Sequence, residues 1–171
     1  MKKSELGPEE FSHFYATYLK ALDDVALNDA LLSGREWFKN FLNELPESQL
    51  QHRYAPEKWT IAEVLLHLID TERIFQYRAF RFSRNDMTPL PGFEQDGYIL
   101  ESESTTKSKK DILSEYLAVR NATISLFEPM NSKKLKRVGT ASDMPWSVAA
   151  LGFVISGHQK HHANILLEKY S

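Results

Sequence analysis

The chain contains no cysteine. That absence excludes disulfides, cysteine-ligated zinc, iron–sulfur clusters and a cysteine nucleophile supplied by the protein. Long apolar runs are missing as well, and none approaches the about 18 residues that suggest a membrane span. The opening Met1-Lys2-Lys3-Ser4-Glu5 runs into Glu9, Glu10 and aromatic residues rather than the apolar stretch of a signal peptide. Net charge is nearly absent, at −2 from 21 basic and 23 acidic residues. Such balance argues against nucleic acid as the main partner, because neutralising phosphates needs a basic surface. Alternating strand patterning is scarce too. What is present is 171 residues with 42% hydrophobic and 12% aromatic content, too apolar for a disordered chain. One soluble, cytoplasmic domain over residues 1–171 is the expectation, with no membrane partner and roughly 70% of its unfolded surface buried.

Helical periodicity dominates. Pro8 fits a first helical position, and Phe11, Phe14, Tyr15, Tyr18, Leu19 and Leu22 follow at three- and four-residue spacing. This predicts a short N-terminal helix. A second helix is predicted over about residues 25–45, ended by Pro46 and weakened slightly by Gly34. Thr60-Ile61-Ala62-Glu63 reads as a capping box, with Trp59 and Val64 placed for a hydrophobic staple. The helix it starts is predicted to reach about Arg84. Residues 85–107 hold Pro89, Pro91, Gly92 and Gly97, and read as a long connection able to cross the structure. Ser108-x-x-Asp111 resembles a cap for a further helix to Phe127, stopped by Pro129. A basic loop (Lys133, Lys134, Lys136, Arg137) then leads to a last helix predicted from about Pro145 to Lys169. The fold class is all-α, a four-helix bundle.

Six histidines supply the one unusual feature. His158 and His162 are four apart on the last helix and share its apolar face, the spacing that lets two imidazoles chelate one divalent ion. His161 lies about 100° round the helix from His162. Pairing His161 with His158 is the alternative register. His67, flanked by leucines, taken alone reads as a core histidine satisfied by a carbonyl. Three inward histidines on two helices favour a shared metal. Asp70, one turn from His67, is free to orient the ring or a water, whereas Glu63 is engaged in the cap. His13 and His52 read as solvated. Arg73, Arg78, Arg81 and Arg84 read first as a solvated face, with an anion site as the alternative.

The blocks Tyr54-Ala-Pro-Glu-Lys-Trp59-Thr-Ile-Ala-Glu63-Val-Leu-Leu-His67-Leu-Ile-Asp70-Thr-Glu72-Arg73, Tyr77-Arg78, Leu90-Pro91-Gly92-Phe93 and Gly157-His158-Gln159-Lys160-His161-His162 stand in a recognisable order. In these the chain resembles the DinB/YfiT-like superfamily, in its DinB_2 branch, over about residues 10–170. The resemblance implies a four-helix bundle with an atypical crossover and a bacterial homodimer. It also implies a divalent metal, zinc or nickel with iron or manganese as alternatives, on His67, His158 and His162. Some branches are transferases or isomerases that use an exogenous low-molecular-weight thiol, and many members are known only as metal-dependent hydrolases.

Three imidazoles would leave an open coordination position. The chemistry expected is therefore hydrolysis, with Asp70 as the catalytic residue that orients water, or transfer of an exogenous thiol, on a small-molecule substrate. A non-catalytic metal-binding or dimeric interaction or stress protein is the alternative.

Overall fold

A computed structural model describes residues 1–170. Its helices, in chain order, are α1 (Ala16–Lys20), α2 (Leu27–Glu44), α3 (Ile61–Ser83), α4 (Gln95–Leu100), α5 (Lys109–Phe127), α6 (Ser132–Leu135) and α7 (Val148–Lys169). Three of the four long ones, α3, α5 and α7, start at a capping side chain. At the head of α3 the Thr60 hydroxyl accepts from the Glu63 N–H at 3.2 Å, and Glu63 accepts from the Thr60 N–H at 2.6 Å. This closes the expected capping box. Ser108 caps α5 in the same way, accepting from the Asp111 N–H at 3.2 Å.

Three expectations need correction. The N-terminal segment is a series of single 3₁₀ turns at Lys3–Glu5, Pro8–Glu10 and His13–Tyr15, and only Ala16–Lys20 is α-helical. Phe11, extended at φ −159° and ψ 158°, interrupts the helix that the aromatic spacing suggests. The connection over 85–107 contains α4. Pro145 does not begin the last helix. It lies in a hairpin of β1 (Val138–Ala141) and β2 (Met144–Ser147), registered Val138 to Ser147 and Ala141 to Met144. Ser142 and Asp143 turn the hairpin with φ of 52° and 59°, the left-handed pair that suits strand twist. Helix α7 then starts at Ser147, whose hydroxyl accepts from the Ala150 N–H at 3.0 Å.

Around the bundle, α2 and α3 each pack on both α5 and α7. Helices α3 and α7 are antiparallel, since the Tyr170 hydroxyl donates to the Trp59 carbonyl at 2.7 Å while Trp146 meets Phe75 at the opposite end. Helices α3 and α5 run the same way. Ile112 joins Ile61 and Val64 in one apolar cluster, and Phe127 joins Phe75 and Phe82 in another. Two parallel neighbours need a return path along the bundle, which the long 85–107 connection provides.

Between the two apolar clusters lies a buried polar group that touches all four long helices. Arg120 donates from Nε and Nη2 to the two carboxylate oxygens of Glu72, both at 2.8 Å. Its Nη1 donates to the Leu31 carbonyl at 3.0 Å, and Nη2 also donates to Gln159 Oε1 at 2.6 Å. Gln159 accepts from the Tyr116 hydroxyl at 3.0 Å and donates to the Gly34 carbonyl at 2.7 Å. Thr123 donates to Glu72 at 2.7 Å. Gly34 is glycine for a reason. A Cβ there would stand 2.6 Å from Arg120 Nη1 and 3.0 Å from Gln159 Oε1.

Removing one partner of such a pair strands a charge in the interior. Arg120→Met is expected to cost about 3–5 kcal/mol, read by denaturant unfolding, and the double variant Glu72→Met, Arg120→Met is expected to recover much of that loss.

Candidate metal centre

His67 and His158 face each other because α3 and α7 are antiparallel neighbours with both residues on the shared face. Their Nε2 atoms are 3.0 Å apart. His162, one turn beyond His158, closes the set: ring centroids are 4.6 Å from His158 and 5.1 Å from His67. One nitrogen from each ring lies within 4.8 Å of the others. Two imidazoles on one tetrahedral ion at about 2.0–2.1 Å would hold their nitrogens about 3.3 Å apart, close to the 3.0 Å between His67 and His158. The donor set fits a divalent metal. Among the described residues no carboxylate and no further histidine joins it.

Packing holds the rings. Trp59 lies tilted against His67, with centroids 4.9 Å apart. Tyr18 stands edge-on to His158 at 5.0 Å and to His161 at 5.3 Å. Tyr18 reaches this place only because residue 157 is glycine. A Cβ there would be 2.3 Å from the Tyr18 carbonyl oxygen. A recess of about 260 Å³, bounded by Tyr54, Trp59, Val64, His162, Ile165 and Tyr170, opens beside His162.

Asp70 stands apart from the role expected for it. It accepts from Arg73 at 3.0 Å and lines a different recess with Leu66, Tyr98, Lys107 and Glu115. Burial raises the Asp70 carboxyl and Arg73 opposes that rise. The group beside His67 Nδ1 is the Thr71 hydroxyl, at 3.4 Å. An acceptor at Nδ1 holds the other nitrogen toward the cluster as a lone-pair donor. Thr71 sits four residues from His67, and that spacing was the available signal for it. His161 lies outside the cluster, and His13 and His52 are exposed, as expected. The arginine stripe divides: Arg73 and Arg84 are exposed, Arg81 is half-buried, and Arg78 is buried.

The comparisons with known proteins agree with this architecture. Residues 30–166 match the model of the DinB superfamily. The chain belongs to that superfamily. Among solved structures it is similar to YfiT from Bacillus subtilis, described as a probable metal-dependent hydrolase with an unusual four-helix bundle topology. The two are 17% identical, with a TM-score of 0.71 over 95% of this chain and 90% of YfiT. No curated protein matches the sequence. Among the described residues no helix of this DinB-superfamily chain is long and apolar enough to cross a membrane.

Enclosure keeps the three rings neutral. Burial lowers His67 from 6.5 to about 4 and His162 from 6.5 to about 3, the latter aided by His67 and His161. It carries His158 well below 6.5, with repulsion from His162, His67 and His161 added. Neutral rings have the free lone pairs that a metal requires. A folded-state value below the unfolded one means that the unfolded chain takes up more protons as acid is added. The stability these rings provide is therefore complete above about pH 6.5 and lost as pH falls through about 4. In metal-free protein, the melting temperature is expected to hold near pH 7 and drop between about pH 6.5 and 4, with a shallower drop in a variant carrying glutamine at positions 67, 158 and 162. Separately, Thr71→Val should weaken zinc affinity by about tenfold or more in a competition titration while leaving far-UV circular dichroism unchanged.

Proposed function

We propose that the protein is a metal-dependent enzyme that acts on a small molecule at a centre formed by His67, His158 and His162. The observation that carries this reading is the count of ligands: three converging imidazoles from two helices, with no fourth protein ligand among the described residues. A structural zinc site is normally closed by four protein groups, whereas a catalytic one keeps a position for water or substrate. A divalent ion held there would polarise a substrate carbonyl and lower the pKa of a water or thiol that reaches the open position. The likeness to YfiT and membership of the DinB superfamily support the same reading.

The chain's own residues set the limits of the chemistry. His67 and His158 lie in an apolar enclosure that keeps them uncharged, so they bind rather than shuttle protons at pH 7. Thr71 orients His67. Trp59 and Tyr18 pack against the rings from two sides. Asp70, held by Arg73, is not beside the rings, so among the described residues no carboxylate base stands at the cluster. That favours a nucleophile made reactive by the ion alone, either water in a hydrolase or an exogenous low-molecular-weight thiol in a transferase. Zinc or nickel suits an all-imidazole set. The homodimer implied by the sequence resemblance belongs to this proposal as well.

Metal analysis of the purified protein, joined to a screen of electrophiles and esters with water or a thiol as nucleophile, tests the reading. The expected result is one zinc or nickel ion per chain and turnover that vanishes, with the fold retained, in a His67→Ala, His158→Ala variant. Protein that holds no metal and binds none at micromolar zinc or nickel would overturn it.

A further inference from the structure

Arg78 is a charge without a counter-charge. It is 2% exposed, yet no carboxylate pairs with it among the described residues. Its Nη2 donates to the Pro91 carbonyl at 2.9 Å and the Ser142 hydroxyl at 3.0 Å. Its Nη1 is buried and, among the described residues, has no hydrogen-bond partner. The remaining surroundings are rings. The guanidinium carbon lies 5.5 Å from the Phe75 centroid and 5.8 Å from that of Phe93. Tyr15, which packs on Phe75 and Trp146, is the nearby ionisable group, and burial pushes its hydroxyl up against the pull of Arg78. Tyr15 is thus a neutral hydroxyl and not the missing anion.

Two neutral acceptors would suffice to tie the Pro91 loop to the hairpin, and a lysine-free, neutral donor would do it at lower cost. A guanidinium stays charged even here, and leaving part of its donor set unmade in the interior is expensive. The neighbouring arginines are already engaged, Arg81 with Asp86 and Arg84 over Phe80. The site therefore offers one positive charge, a free N–H and aromatic walls. That combination suits a monoanionic carboxylate attached to an apolar body, and not a phosphate dianion.

We propose that Arg78 is a binding residue for the carboxylate of a small organic acid, admitted when the Pro91–Phe93 segment lifts. Positions 67, 71, 75 and 78 fall on one face of α3, so Arg78 lies about 16 Å along the helix from His67. Tyr15 and Tyr18, 6.0 Å apart, fill the interval. These rings separate the Arg78 site from the three histidines, so the acid binds there apart from the metal centre.

The test uses the full-length protein and two probes of matched shape, phenylacetate and phenylacetamide, followed by thermal shift and calorimetry, with a zinc titration on each variant. The wild type is expected to be stabilised by phenylacetate and not by phenylacetamide. In Arg78→Met the carboxylate is expected to bind about tenfold or more weakly, while zinc binds as in the wild type. Arg78→Lys, which keeps the charge, is expected to retain a preference for the acid. If the wild type shows no preference for phenylacetate over phenylacetamide, the carboxylate site is wrong, whatever the variants do. Normal zinc binding in that case would leave the metal centre standing. Loss of zinc binding in wild-type protein would instead strike the proposed function.

Discussion

The bidentate pair between Arg120 and Glu72 is the constraint on which the centre depends. Apolar contacts alone allow helices to slide against each other at small cost, because one aliphatic surface resembles the next. A buried guanidinium does not allow this. It must find its carboxylate, and here it also finds Gln159 and the Leu31 carbonyl, so four helices share one axial alignment. Glu72 follows Thr71 in α3, and Gln159 follows His158 in α7. Fixing that pair of helices by this polar group sets His67 opposite His158. Such a pair contributes little net stability compared with well-packed apolar residues, and its effect here is on register.

The centre itself works by contrast with that polar group. Its three imidazoles carry no charge, sit among Trp59, Tyr18 and Val64, and bring one nitrogen each to a common place. An ion at that point would meet few competing dipoles, so its field would act strongly on any ligand that completed its coordination. The missing cysteine takes on meaning in this setting. Any sulfur in the reaction has to arrive with the substrate or a second reactant.

The cluster of three histidines was legible in the sequence because it rests on helical spacing, which is local: His158 and His162 are one turn apart, and His67 lies on an apolar stripe. The capping boxes at Thr60 and Ser108 were legible for the same reason. The hairpin was not, since four-residue strands are too short to show alternation and Pro145 imitates a helix start. The N-terminal aromatics have helical spacing but do not share one helix: Phe11 is extended, Phe14 and Tyr15 lie on a 3₁₀ turn and Tyr18 on α1, because packing against α7 and the hairpin decides the backbone. Glu72 and Arg120 escaped notice although each interrupts an apolar stripe, Leu68–Phe75 in one case and Tyr116–Phe127 in the other. Which interruptions pair is a tertiary fact. Asp70 shows the converse limit: one turn from His67 in sequence, it points instead to Arg73, and Thr71 takes the place at Nδ1.

The central claim is that three histidines hold a divalent ion with a position left open. The visible spectrum of the cobalt(II)-loaded protein, recorded before and after adding a small thiol, tests it most directly. An open site should take up one ion per chain, show the intense bands of a four- or five-coordinate centre, and shift those bands when the thiol binds. Failure to bind cobalt stoichiometrically, or bands that no added ligand moves, would contradict the account.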